Sequence, residues 1–249
     1  MDLELKGKSV LITGSSKGIG LACAHAFAAE GANVRLAARS RDLLARAASE
    51  IAKKYGVKVD THEVDLRAKN AATKLAADAG AIDILVNNAG DIPGGELVGF
   101  DEEKWRHAWD LKVFGYINLT RAVLTAMQER GRGVIVNVIG MAGETHPAEY
   151  ICGTAGNAAL GAFTKGVGKG SIAHGVRVLG LHPGATMTDR IISLNKTFAK
   201  QKFGDESRWE ELLKGVRMHQ PEQVADTVAY LASARASHLS GIMVNLAPV

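Results

Sequence analysis

"VLITGSSKGIGLACAHAFAAEG", residues 10–31, decides how the rest of the chain reads. A β-branched apolar run ends at Thr13, a glycine-rich turn follows, and a small-residue helical pattern begins near Gly18. Gly14, Gly18 and Gly20 are the punctuation. A turn this tight calls for positive φ, and a pyrophosphate can approach the backbone only where no Cβ intervenes. The helix that follows offers free N–H groups and the positive end of its dipole. The stretch therefore predicts a strand, a phosphate-cradling turn and a helix.

The pattern repeats outward from this unit. Short apolar runs recur at 9–13, 33–38, 58–65, 82–89, 133–140, 176–183 and 241–247. Helical patterns lie between them at 18–30, 41–55, 68–79, 102–130, 150–174 and 221–232. Seven strands alternating with helices predict an α/β protein with a doubly wound, Rossmann-type parallel sheet of seven strands and helices on both faces. No linker, repeat or low-complexity tract interrupts 1–249, which reads as a single domain. The polar segment 185–218 breaks the rhythm. Long insertions in compact domains are often functional, so it is read as a substrate-covering lid, with a surface helix pair as the alternative.

Composition narrows the class. The 249 residues are 47% hydrophobic and 22% charged, with 28 Gly and 5 Pro, ordinary for a soluble globular protein. The net charge of +4 is scattered rather than clustered, so no nucleic-acid-binding stripe is expected. No apolar run is long enough to span a bilayer, so no membrane partner is expected. Cys23 and Cys152 lie among small apolar residues and read as core thiols in a reducing cytoplasm. No Cys, His or carboxylate cluster has metal-ligand spacing, so no metal is expected.

The second strand ends "LAARSRDLL", where a carboxylate would serve the 2′-hydroxyl of NAD. Arg39 and Ser40 stand there instead, with Arg41 beside them and Lys17 in the glycine turn. Cations and a hydroxyl suit a 2′-phosphate, so the cofactor is expected to be NADP(H). Arg41 is open to a second reading, as a solvated helix start.

These motifs together resemble the short-chain dehydrogenase/reductase family along essentially the whole chain. "TGSSKGIG" (13–20) resembles its cofactor loop, implying contacts from Gly14, Ser16, Lys17, Gly18, Ile19 and Gly20. "NNAG" (87–90) resembles the signature after the fourth strand, implying backbone contacts from Asn88, Ala89 and Gly90. "VDL" (64–66) implies adenine contacts at Asp65 and Leu66, and "HPGATMT" (182–188) implies carboxamide contacts at Pro183, Gly184 and Thr188. The family's chemistry is carried by Asn, Ser, Tyr and Lys, the lysine following the tyrosine by four residues and lowering its pKa.

This chain departs from that set at three places. Tyr150 keeps the tyrosine, but Thr154 stands where the lysine is expected, Ile139 and Gly140 where the serine is, and Lys112 where the asparagine of N-x-x-G is. The chain is thus an atypical member lacking the usual catalytic Ser and Lys. A free tyrosine titrates near ~10 and needs a cation to serve as a base at neutral pH. Lys165 lies about 22 Å further along the helix, too far to help. Thr154 can bond a ribose but carries no charge. Two readings of Lys112 stand: its ammonium enters the space beside Tyr150, or it faces outward and pairs with a carboxylate such as Asp110. His146 and Glu144 border the pocket, His146 as a proton donor in place of the serine or simply exposed. Cys152 is expected to face away from Tyr150 by helical phase.

The leading expectation is an NADP-dependent oxidoreductase acting on a small-molecule carbonyl/alcohol pair, with Tyr150 as acid/base and Lys112 as its helper. Two alternatives remain: a dinucleotide-binding sensor or partner subunit, and an enzyme of this fold with different proton chemistry. The small residues of 150–170, and the family's habits, point to a homodimer or homotetramer, with the C-terminal "VNLAPV" near a second contact.

Overall fold

Seven parallel strands form one sheet in the order β3-β2-β1-β4-β5-β6-β7. They are β1 Ser9–Thr13, β2 Asn33–Ala38, β3 Val59–Glu63, β4 Ile84–Asn87, β5 Gly133–Val138, β6 Val176–His182 and β7 Met243–Asn245. The computed structural model describes residues 1–246. The expected end of the last strand at Ala247, and the expected C-terminal contact through Pro248 and Val249, fall outside the described residues.

The inner strands β1, β4, β5 and β6 bury side chains on both faces, so along them period-two alternation separates two cores rather than core from solvent. Val10 and Ile12 of β1 join Leu36, Val86 and Val136 under α1 (Gly18–Ala29), α2 (Arg41–Tyr55) and α9 (Pro221–Ala232). Leu11, one residue out of phase, joins Leu85, Ile135 and Val178 under α3 (Ala71–Ala79) and α5 (Gly115–Glu129). The sheet reverses its order between β1 and β4, and such a switch point opens a crevice at the strands' carboxyl ends.

Local signals set the boundaries. Helix α2 carries Asp42 in its first turn and Lys53 and Lys54 in its last, which complements its dipole, and it stops at Gly56 in the left-handed region (φ 69°), whose N–H donates to the Ala52 carbonyl at 3.0 Å. Helix α9 opens on Pro221 with a reciprocal Gln220–Gln223 capping box.

Three expectations change. The helix anticipated over 102–130 is α4 (Glu102–Trp109) and α5 joined by a π-helical turn at Asp110–Phe114. Periodicity cannot reveal one extra residue in a turn, and π-turns frequently accompany functional sites. The helix anticipated from 150 starts at Ile151, and α7 (Ile151–Ser171) leaves Tyr150 at its N-cap with φ −132° and ψ 35°. The 185–218 segment is a helical pair, α8 (Asp189–Phe203) and a 3₁₀ turn at Glu206–Leu213. One side of α8 lies over the loop after β4: a Cβ on Gly94 would sit 2.5 Å from the Phe198 ring and 3.0 Å from Leu194.

Candidate active site

The glycine turn and the loop after β4 are tied together before any ligand is considered. Thr13 Oγ1 accepts from the backbone N–H of Asn88 (3.0 Å) and Ala89 (3.1 Å), and Asn88 Nδ2 donates to the carbonyls of Thr13 (3.1 Å) and Gly14 (3.3 Å). Gly14 and Gly18 have φ of 66° and 58°. A Cβ on Gly20 would meet the Gly14 carbonyl and come within 2.6 Å of Asn88 Nδ2. The glycines therefore leave a cradle free of Cβ atoms at the start of α1, which fits a pyrophosphate. Ser15 is fully buried with its Oγ unpartnered.

Arg39 and Ser40 follow β2 at the mouth of the crevice. Ser40 is the N-cap of α2, yet its side chain makes no cap hydrogen bond. Arg39 lies 3.9 Å from Asp91, Arg41 3.3 Å from Glu63, and Lys17 3.6 Å from Asp189. Carboxylates thus border these cations, which the one-dimensional reading did not foresee, because Asp91 and Glu63 come from other strand ends. The pairs are solvent-exposed and individually weak, so a doubly charged phosphate can displace them. Asp65 accepts from the Arg67 backbone N–H at 3.0 Å and pairs with its guanidinium at 3.4 Å. The Leu66 side chain is core, packed under Gly115, which leaves only its backbone facing the crevice side.

Across the crevice, the 183–188 loop is clamped to the residue before α9. Met187 N–H donates to the His219 carbonyl (2.9 Å) and His219 N–H to the Ala185 carbonyl (2.8 Å). The Pro183 carbonyl accepts from Met141 N–H at 3.1 Å. A Cβ on Gly184 would lie 3.2 Å from the Leu246 carbonyl, and one on Gly18 would lie 3.4 Å from Thr188 Cγ2, so this loop closes against the glycine turn. Thr188 also caps α8, accepting from Ile191 N–H at 3.3 Å.

Tyr150 is held from three sides. Gly95 N–H donates to the Glu149 carbonyl (2.7 Å) and Ile151 N–H to the Gly95 carbonyl (3.3 Å), joining the loop after β4 to the start of α7. The Tyr150 ring folds back over Gly153, where a Cβ would fall inside it. Arg190 of α8 supplies the third side, hydrogen-bonded to the Ile92 carbonyl and 3.6 Å from Asp91. Burial holds the Tyr150 phenol above its usual pKa, against the charge and hydrogen bond of Arg190, which pull it down.

The expected helpers are rearranged. Thr154 Oγ1 donates to the Pro147 carbonyl at 3.1 Å, which leaves its oxygen as an acceptor. Tyr150, the N-cap of α7, keeps helical register with Thr154, whose N–H donates to the Tyr150 carbonyl at 2.9 Å. Gly153 and Asn157, also four residues apart, share one face of α7. Asn157 Nδ2 donates to the Gly140 carbonyl at 3.4 Å, and its Oδ1 is buried without a partner. Cys152 packs with Ile92 and Ala108 against the Tyr150 ring rather than facing away from it. It remains a core thiol, pushed up to about 11 by burial.

Lys112 points inward rather than toward Asp110. Its stem crosses Gly90, where a Cβ would be 2.8 Å from its Cδ, and Nζ donates to the Ile139 carbonyl at 2.6 Å. Burial, and then the Arg190 charge, lower its pKa to about 7. Among the described residues no hydrogen bond joins Nζ to the Tyr150 phenol. The cation beside Tyr150 is Arg190, which sequence reasoning missed because it lies 40 residues away, in a segment read as a lid. His182, fully buried at the end of β6, was missed as well. Its Nε2 is 3.9 Å from Glu144 Oε1, and both ring nitrogens lack hydrogen-bond partners among the described residues. His146 takes φ 53° after the short helix α6 (Ala142–Thr145), in an exposed loop.

A doubly wound sheet with a glycine cradle at its switch point, closed by a loop carrying Tyr150, defines a dinucleotide-dependent oxidoreductase architecture. The short chain dehydrogenase family model matches residues 8–198, and the chain belongs to that family. It is 31% identical over 250 residues to a 3-oxoacyl-[acyl-carrier-protein] reductase of Aquifex aeolicus, covering 99% of this chain and 98% of the relative. It is similar to the crystal structure of L-sorbose reductase from Gluconobacter frateurii complexed with NADPH and L-sorbose, with TM-score 0.89 and 32% identity over 100% of this chain and 98% of that one. An actinorhodin polyketide ketoreductase with NADPH gives TM-score 0.91 at 28% identity, covering 97% and 96%. No described helix is long and apolar enough to cross a membrane.

Proposed function

We propose that the protein is an NADP(H)-dependent oxidoreductase that interconverts a small-molecule carbonyl and its alcohol, with Tyr150 as the proton donor and acceptor. The observation that carries this reading is the Tyr150 phenol held between Gly153, the Gly95 loop and the Arg190 guanidinium. When bound, the cofactor supplies hydride to the carbonyl carbon, or accepts it from the alcohol carbon.

Glycines 14, 18 and 20 and the start of α1 would hold its pyrophosphate, Asn88, Ala89 and Gly90 its adenosine ribose, Asp65 and Leu66 its adenine, and Pro183, Gly184 and Thr188 its carboxamide. Arg39, Ser40 and Lys17 would receive the 2′-phosphate. The NADPH-bound relatives support that choice.

A phenol raised by burial is protonated at neutral pH, which suits proton donation to a carbonyl oxygen as hydride reaches its carbon. Arg190 stabilises the phenolate this leaves. Lys112, titrating near neutrality beside the Ile139 carbonyl, is placed to exchange a proton with the site, and α8 acts as the lid. The exposed Phe114 and the open positions Gly166 and Gly170 of α7 support assembly through these helices into a homodimer or homotetramer.

The test is cofactor oxidation. NADPH absorbance is followed with purified protein across a panel of ketones, oxo acids and quinones. Turnover lost in Tyr150→Phe with NADPH binding retained is the expected result. NADPH binding without turnover across the panel would favour the sensor reading.

A further inference from the structure

The charges around Tyr150 do not balance. Arg190 and Arg39 share one carboxylate, Asp91, at 3.6 and 3.9 Å. Lys112 has no carboxylate within ion-pair distance among the described residues. Its ammonium meets the Ile139 carbonyl and, at 5.6 Å, the Tyr116 ring. The other charged or titratable groups near it are Arg190 on α8 and His182 on β6, and His182 in turn faces Glu144 on α6 and Lys165 on α7. Two cations therefore border the same short loop after β4, Lys112 crossing Gly90 and Arg190 bonding the Ile92 carbonyl, and the Arg190 charge acts on the Lys112 amine. Placing like charges together out of water is unfavourable unless something anionic joins them.

Arg190 also has capacity left. A guanidinium carries five N–H donors in a planar fork suited to carboxylates. Its side chain is 34% exposed while it bonds the Ile92 carbonyl, pairs with Asp91 and lies close enough to Tyr150 to pull the phenol's pKa down. It sits one residue from the Thr188–Asp189 start of the lid, so it moves with the element that covers the substrate.

We infer that the substrate is a carbonyl compound bearing a carboxylate, an oxo acid or its hydroxy acid, held by Arg190 and Lys112 with its carbonyl oxygen at Tyr150. This rests on the oxidoreductase reading above and adds the substrate's charge to it. A bound carboxylate favours the protonated amine of Lys112, so affinity for acids falls as the pH rises above about 7, whereas affinity for neutral carbonyls stays level.

The probes are 2-oxobutanoate, 3-oxobutanoate and 4-oxopentanoate, each beside its methyl ester, which span three separations of carbonyl and carboxylate. Turnover of NADPH is measured for all six, and thermal stabilisation of the NADP-loaded protein is measured in parallel. The expected result is at least a tenfold preference in kcat/KM or in binding for an acid over its own ester. That ratio should fall to near one in Arg190→Gln, survive in part in Arg190→Lys, and decline above neutral pH in the wild type but not in Lys112→Met. Esters used or bound as well as acids at every spacing would overturn the inference and leave the oxidoreductase reading standing. Acid-selective stabilisation without turnover would support the inference and count against that reading. No acid selectivity in either measurement overturns it.

Discussion

The ring of Tyr150 occupies the space that a Cβ on Gly153 would enter. A residue at the N-cap of α7, outside the helix proper, thereby delivers its phenol to the helix's site-facing side. Gly153 is required there by space: nothing in its backbone dihedrals demands glycine, since its φ is not among the positive values. Gly153→Ala should therefore fold, with α7 slightly favoured by helix propensity, yet displace the phenol. The expected outcome is a loss of turnover of about 10²-fold or more, the scale of a misplaced acid/base, with NADPH affinity within about threefold of wild type. Equal turnover in the two proteins would mean that Tyr150 is not the proton donor.

Lys112 gives a stability signature independent of substrate. Its folded pKa of about 7 lies below the ordinary value of 10.5. Between those values the unfolded chain binds the extra proton, so stability rises with pH through this window, and below pH 7 the full penalty of the buried ammonium applies. Lys112→Met removes the penalty. Its melting temperature should exceed that of wild type at pH 6, by an amount corresponding to up to a few kcal/mol, and the gap should narrow by pH 10. A gap that is constant with pH would show that the amine is solvated.

The fold was legible because strands and glycines carry their reasons locally. The β-branched runs, the Gly14–Gly18–Gly20 turn and the "NNAG" segment each have a short-range physical cause, and the sheet joins them as expected. The site was less legible because its geometry depends on single-residue offsets. A π-turn at Asp110–Phe114 precedes α5, and Tyr150 stands at the non-helical N-cap of α7; neither irregularity leaves a mark in residue spacing. Arg190 was out of reach for a different reason: its approach to Tyr150 is a tertiary contact across 40 residues, with no periodic or motif signal in "TDRII" to announce it.

Arg39 should decide between the two nicotinamide dinucleotides. Its guanidinium follows β2 directly, with the Ser40 hydroxyl free of capping duty and Asp91 its present, weak partner. A charge-assisted hydrogen bond to phosphate contributes roughly 1.5–3 kcal/mol. Arg39→Ala should weaken NADPH binding by about ten- to a hundredfold and leave NADH binding within about threefold, as read by quenching of protein fluorescence. Equal loss for both dinucleotides would assign Arg39 to the structure of the β2 terminus instead.

Gly20 tests the cradle itself. A Cβ there would meet the Gly14 carbonyl and Asn88 Nδ2, both fixed by the hydrogen bonds that hold β1 to β4. The atoms in the way are backbone and a tethered amide, so they cannot yield as the end of a flexible side chain would. Gly20→Ala should both lower the melting temperature, by the amount expected of an overpacked site at about 1–3 kcal/mol, and abolish NADPH binding at micromolar concentrations. If Gly20→Ala binds NADPH like wild type, the pyrophosphate does not lie on this turn, and the cofactor assignment fails with it.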